Sequence, residues 1–145
     1  MPEIDTERRL AALERRIAVL EATAPEKVFT ATVTTTDATA TTIYSFSTSS
    51  NSVMLMDVKV IALRTDVYGE TAAYRYFIKI ENIGGVVVAA LLQDAALDDS
   101  AFIREDNTAW VVPTSISGTN FLVRVTGVAG NTINWYMRAT IIGSV

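Results

Sequence analysis

The feature that most limits what this chain can fold into is a change of pattern at Pro25. Before it, apolar residues recur every three or four positions among charges; after it, they recur at every second position among Thr, Ser and Asn. The first period belongs to a helix and the second to a strand. The break has a chemical cause, because proline offers no N–H and pushes the preceding residue, here Ala24, out of the helical region. Two units are expected: a helical one at residues 1–25 and a β-rich one at residues 26–145.

The helix is expected from about Asp5 to Thr23. Asp5 or Thr6 can cap its start, and Glu7 lies in the first turn, where the helix dipole favours negative charge. At 1.5 Å per residue such a rod is roughly 28 Å long. Its apolar residues follow a heptad, with Leu10 and Ile17 at a and Leu13 and Leu20 at d. Arg9 and Arg16 occupy g; Glu14 and Glu21 occupy e. In a parallel coil each g position meets the e position five residues further along the next helix. Arg9 would then face a neighbour's Glu14, and Arg16 its Glu21, whereas an antiparallel pair would oppose like charges. The alternative is an amphipathic helix that packs on its own β region; the narrow a/d seam between charged faces counts against it. Two heptads are close to the length at which an isolated helix is marginal, so the helix would serve to register chains whose larger domains also touch.

Arg9-Leu10-Ala11-Ala12-Leu13-Glu14 and Arg16-Ile17-Ala18-Val19-Leu20-Glu21 each resemble the trimerisation motif of short parallel coiled coils: Arg, apolar, two residues of any kind, apolar, Glu. The resemblance implies a homotrimer held through Arg9, Leu10, Leu13, Glu14, Arg16, Ile17, Leu20 and Glu21. Ile at a with Leu at d leans the other way, towards a dimer.

After Pro25 the alternation places strands at Lys27 to Thr36, Thr41 to Phe46, Ser52 to Arg64, Thr71 to Glu81, Val86 to Leu92, Trp110 to Ser115, Asn120 to Thr126 and Thr132 to Ile142. Met54, Met56, Val58, Val60 and Ala62 share one face of the third, opposite Asp57 and Lys59. In the fourth, Ala72, Tyr74, Tyr76, Ile78 and Ile80 oppose Arg75, Lys79 and Glu81. In the last, Ile133, Trp135, Met137, Ala139 and Ile141 share a face. About eight strands between polar or Gly turns predict a mainly β fold, an antiparallel sandwich or jelly roll. Pro113 suits an edge or a bulge. Asp94 to Thr108 is a long acidic connection, read as an exposed loop or as a short helix near Asp94 to Ser100.

Composition narrows the chemistry. The net charge is −4, which argues against nucleic acid and against anionic membrane surfaces as partners. No apolar run nears the ~20 residues of a membrane helix, and Glu3, Asp5 and Glu7 stand where a signal peptide is basic. There is no Cys and no His, which removes disulfides, thiolate metal sites, imidazole ligands and His-activated nucleophiles. Asp94, Asp98, Asp99, Glu105 and Asp106 cluster, and carboxylates can bind Ca²⁺ or cleave glycosides. Their spacing fits no EF-hand, and a solvated loop is the simpler reading. No catalytic residue, cofactor or metal site is expected, and the chain is read as no enzyme. The strand aromatics Tyr44, Phe46, Tyr74, Tyr76, Trp110 and Trp135 are read as core or interface.

The β region also resembles a small domain of bacteriophage virion proteins, found in short tail fibres and capsid-attached fibres. The likeness runs through Thr34-Thr35-Thr36-Asp37-Ala38-Thr39, Ala62-Leu63-Arg64-Thr65 and Ala72-Ala73-Tyr74-Arg75, then Trp110-Val111-Val112, Leu122-Val123-Arg124-Val125-Thr126-Gly127 and Gly130-Asn131-Thr132-Ile133-Asn134-Trp135. Leu63-Arg64 departs from the basic pair common there. The resemblance implies a virion structural protein at the particle surface: a trimeric short fibre or capsid decoration, or else a tail-fibre tip that binds a host receptor. Its partners would be its own copies and other capsid or tail proteins.

Overall fold

The computed structural model describes residues 2–23, 26–92 and 101–143. The fold is mainly β, with antiparallel sheets and one N-terminal helix. The helix, α1, runs Pro2–Thr23, three residues earlier than expected. Proline is well placed at a first helical position, where its missing N–H would have no partner anyway. Asp5 is therefore no cap. It sits a turn inside and pairs with Arg9 at 3.5 Å.

Nine strands follow among the described residues: β1 Glu26–Thr35, β2 Thr41–Ser47, β3 Ser52–Arg64, β4 Thr71–Ile83, β5 Val86–Leu91, β6 Ala101–Glu105, β7 Thr114–Ser117, β8 Asn120–Val125 and β9 Ile133–Gly143. Two differences from expectation have physical causes. The acidic connection contains β6, paired with Ala72 to Tyr76 of β4; residues 94–100, where a short helix or loop was expected, lie outside the described residues. The strand expected from Trp110 begins only at Thr114. Val111 makes an isolated bridge to Thr126, and Pro113, with no N–H, cannot continue the ladder that its own carbonyl opens by accepting from Arg124 N.

The larger sheet is ordered β1-β9-β3-β4-β5, and β6 lies on the same side of β4 as β5. β4 is long enough for both, giving Ile78 to Ile83 to β5 and Ala72 to Tyr76 to β6. The smaller sheet is ordered β2-β8-β7. The inner faces of the two share one core. Met56, Val58 and Val60 of β3, Tyr74, Ile78 and Ile80 of β4, and Ile133, Trp135 and Ala139 of β9 are buried together with Phe46, Phe121, Val123 and Val125 of the smaller sheet.

Trp110 and Trp135 anchor one end of this core, fully buried with ring centroids 6.0 Å apart. Trp135 Nε1 donates to Thr35 Oγ1 at 2.9 Å, so a buried donor and a buried hydroxyl satisfy each other. Gly127 closes over this pair. A Cβ there would stand 2.8 Å from Thr35 Oγ1 and 2.9 Å from Ile133 Cδ1.

Candidate interaction surfaces

Leu10, Leu13 and Ile17 are 56 %, 53 % and 53 % exposed. The helix thus leaves this seam open to solvent and does not bury it on the chain's own β region. Arg9, Glu14 and Arg16 flank it, also exposed. Leu20 and Glu21 lie on α1, but their side chains are outside the described set. The helix therefore places the described members of the expected trimerisation set along one rod, with the apolar ones unburied.

The second open surface is the outer face of the larger sheet. Alternation turns Asp57, Lys59 and Ile61 of β3, Ala73, Arg75 and Phe77 of β4, and Tyr136 and Arg138 of β9 away from the core. Register then aligns Lys59 opposite Arg138 on one side and opposite Arg75 on the other. Three cations stand in one row across three strands ~4.8 Å apart, an arrangement that costs free energy when uncompensated. Among the described residues one acid, Asp57, answers two of the three. It accepts from Arg75 Nε at 3.1 Å and from an Arg75 terminal nitrogen at 3.0 Å, and lies 3.9 Å from Lys59. The Arg75 guanidinium also lies 4.6 Å from the centre of the Phe77 ring. Arg138 and Arg104 have no acidic partner within ion-pair distance among the described residues.

Next to the row is an open hollow of about 680 Å³, lined by Lys59, Ile61, Ala73, Arg75 and Arg104. Its cause is a difference in side-chain length: Ala73 is short, and every neighbour just named is long. Tyr136, directly opposite Ile61 in register and 45 % exposed, continues the apolar side of this surface.

The sequence hinted at this surface only in part. Alternation put Lys59 and Arg75 on polar faces, but which strand lies beside which, and in what register, is set by long-range pairing that local pattern does not encode.

The acidic cluster divides. Glu105 and Asp106 serve the fold: the Tyr74 hydroxyl lies 2.8 Å from Glu105 Oε2 and 3.1 Å from the Trp110 carbonyl, and Asp106 Oδ2 accepts from Thr71 N at 2.9 Å. Burial above all, and then the bond to Glu105, raise the Tyr74 pKa. Asp94, Asp98 and Asp99 lie outside the described residues. Among the described residues no three His, Cys, Asp or Glu side chains gather as a metal site, and no helix is long and apolar enough to cross a membrane.

At the β3–β4 connection, Arg64 donates to Asp66 at 2.9 and 3.0 Å and to Glu70 at 3.3 Å. Asp66 Oδ1 also accepts from Thr132 N at 2.9 Å, tying this loop to the start of β9. The Arg64 hydrogen bonds lead in holding the Asp66 carboxyl down at about 2, and the Thr132 N–H adds to them.

No protein-family model matches the sequence, and no curated protein matches it. By fold the chain is similar to the tailspike protein of Acinetobacter baumannii phage AM24, at 11 % identity and a TM-score of 0.53, over 85 % of this chain and 27 % of that one. Two further tailspike proteins align more loosely. One is gp49 of Acinetobacter baumannii bacteriophage Fri1, described as a capsular polysaccharide depolymerase (11 % identity, TM-score 0.35, 83 % of this chain and 20 % of that one). The other belongs to Acinetobacter phage vB_ApiP_P1 (14 %, 0.34, 83 % and 22 %). The chain thus spans about a quarter of the length of the tailspikes it matches. The expectation that the chain is no enzyme is withdrawn, since its fold is shared with a tailspike protein. That expectation leaned on the absence of His and Cys, yet glycoside cleavage needs only carboxylates. Over 85 % of the chain the fold is one that occurs in a phage tailspike protein.

Proposed function

We propose that this chain is a structural part of a phage tail spike or tail fibre. In this reading α1 joins three copies in parallel and the β region forms a sandwich-like head at the virion surface. The observation that carries it is the open a/d seam. Three large apolar residues stay more than half exposed on a helix flanked by Arg at g and Glu at e. Isolated helices of this length are marginal in water, and burying Leu10, Leu13 and Ile17 between copies supplies what the single chain lacks. Exposed Arg–Glu pairs add little energy, ~0.2–1 kcal/mol each, but they select the parallel arrangement. The likeness to a tailspike favours the tail over the capsid lattice as the point of attachment. Light scattering on the full chain tests the assembly. A mass three times that of one chain is expected; a monomer at micromolar concentration overturns the reading, and a dimer means that Ile17 at a decided the number of strands.

A second reading, a tip module that binds a host receptor, is favoured by a different observation: the exposed, part basic and part apolar outer face of the larger sheet. Antibody labelling of particles that carry the protein separates the two, since a tip module lies at the distal end of the tail.

A further inference from the structure

We propose that the hollow over Ala73 is a binding site for an acidic saccharide, a sugar unit that carries a carboxylate. This goes beyond the reading of the chain as a spike or fibre part and needs neither the helix nor the trimer. Two independent observations carry it. The first is charge. The chain is acidic overall, with a net charge of −4, yet Arg138, Lys59 and Arg75 are aligned in register across three neighbouring strands. Opposed like charges on a sheet work against folding, and among the described residues one carboxylate, Asp57, reaches two of the three, Lys59 and Arg75. An incoming anion would relieve the repulsion, and arginine side chains are suited to hold a carboxylate through two parallel bonds.

The second is shape. The hollow has about 680 Å³, within the usual range of small-ligand sites, ~300–1,000 Å³. Ala73, Ile61 and Ile103 line it together with Lys59, Arg75 and Arg104. A sugar ring has an apolar face for the first three and polar edges for the cations. An acidic peptide is the less fitting occupant, because extended peptides dock by adding a strand to a free sheet edge. The hollow lies instead over the face of β3 and β4, whose edges are taken by β9, by each other and by β6.

The test is calorimetric titration of the full-length protein with a hexamer of galacturonate, with a neutral glucose hexamer and a hexaglutamate peptide as comparisons. The galacturonate hexamer is expected to bind alone and to weaken as salt rises. Arg104→Ala and Lys59→Ala are each expected to weaken binding about tenfold, the loss of roughly one carboxylate hydrogen-bonding partner of ~1.4 kcal/mol. Ala73→Leu, which fills the hollow while leaving every charge in place, is expected to abolish it. Circular dichroism and Trp fluorescence report whether each variant keeps its fold, and Arg104→Gln, Lys59→Gln or Ala73→Val replaces the counterpart that does not. Absence of binding overturns the proposal, as do equal binding of the neutral hexamer, equal or tighter binding of hexaglutamate, or indifference to Ala73→Leu. Light scattering on the same samples keeps this result separate from the assembly reading.

Discussion

Thr35 is a small polar residue with a disproportionate task. It is buried, and its hydroxyl is the hydrogen-bond partner of a fully buried indole N–H. Thr35→Val keeps the volume and removes the acceptor, so Trp135 Nε1 is left unsatisfied. A cost of about 1–3 kcal/mol is expected, read as a lower urea midpoint with an unchanged slope. Gly127→Ala attacks the same point from outside. The glycine has no need of unusual backbone angles here; it is required by space, and overpacking is expected to cost about 1–3 kcal/mol. Both lie in blocks that carry the fibre-domain likeness, but nothing in the sequence marks them as neighbours: Thr35 is one of many threonines, and Gly127 reads as a turn. Asp66 gives a pH-dependent counterpart. Its carboxyl titrates near 3.8 when unfolded and near 2 when folded, so its contribution is complete above the first value and disappears as pH falls through the second. The stability gap between the protein and Asp66→Asn is therefore expected to be flat near neutrality and to close between about pH 4 and 2, followed by urea unfolding at a series of pH values.

At the scale of elements, α1 and the β region differ in what they need. The helix exposes its seam, while the β region buries two Trp within itself. Leu13→Asp with Ile17→Asp places charges in the proposed seam, where an unpaired buried charge costs several kcal/mol. The double variant is expected to lose its helical circular dichroism and to keep its β signal and Trp fluorescence. Loss of Trp packing together with the helix would contradict the division of labour. Elements of this kind were legible to different degrees. β3, β4 and β9 are long and alternate strictly, so Met56, Tyr74 and Trp135 announced their buried faces in the sequence. β6 was missed because five residues, Ala101 to Glu105, carry too few alternations to stand out within an acidic connection. The start of β7 was misplaced because Trp110, Val111 and Val112 look like a strand while Pro113 defers the pairing. The row of Arg138, Lys59 and Arg75 was invisible for a different reason: it exists only once β9 lies beside β3.

For the whole molecule, the order of strands matters more than their number. β9, the last of them, lies between β1, the first, and β3. Each of its two ladders joins residues far apart in sequence, such as Thr35 with Ile133 and Met56 with Ile141. While a chain is being made, the larger sheet cannot close until β9 has emerged. Until then β1, rich in Val and Thr, and β3, rich in Val, Leu and Met, each present an open edge, the kind of template on which other chains add. Folding governed by such distant pairings is slow, and its waiting state is the one most exposed to misassembly. Deletion of residues 133–143 is accordingly expected to yield insoluble aggregate rather than a weakened monomer, as measured by the fraction recovered in the supernatant after refolding. A central strand that follows the others in sequence makes the sheet a clasp: β1 is fastened to β3 only once β9 is in place between them.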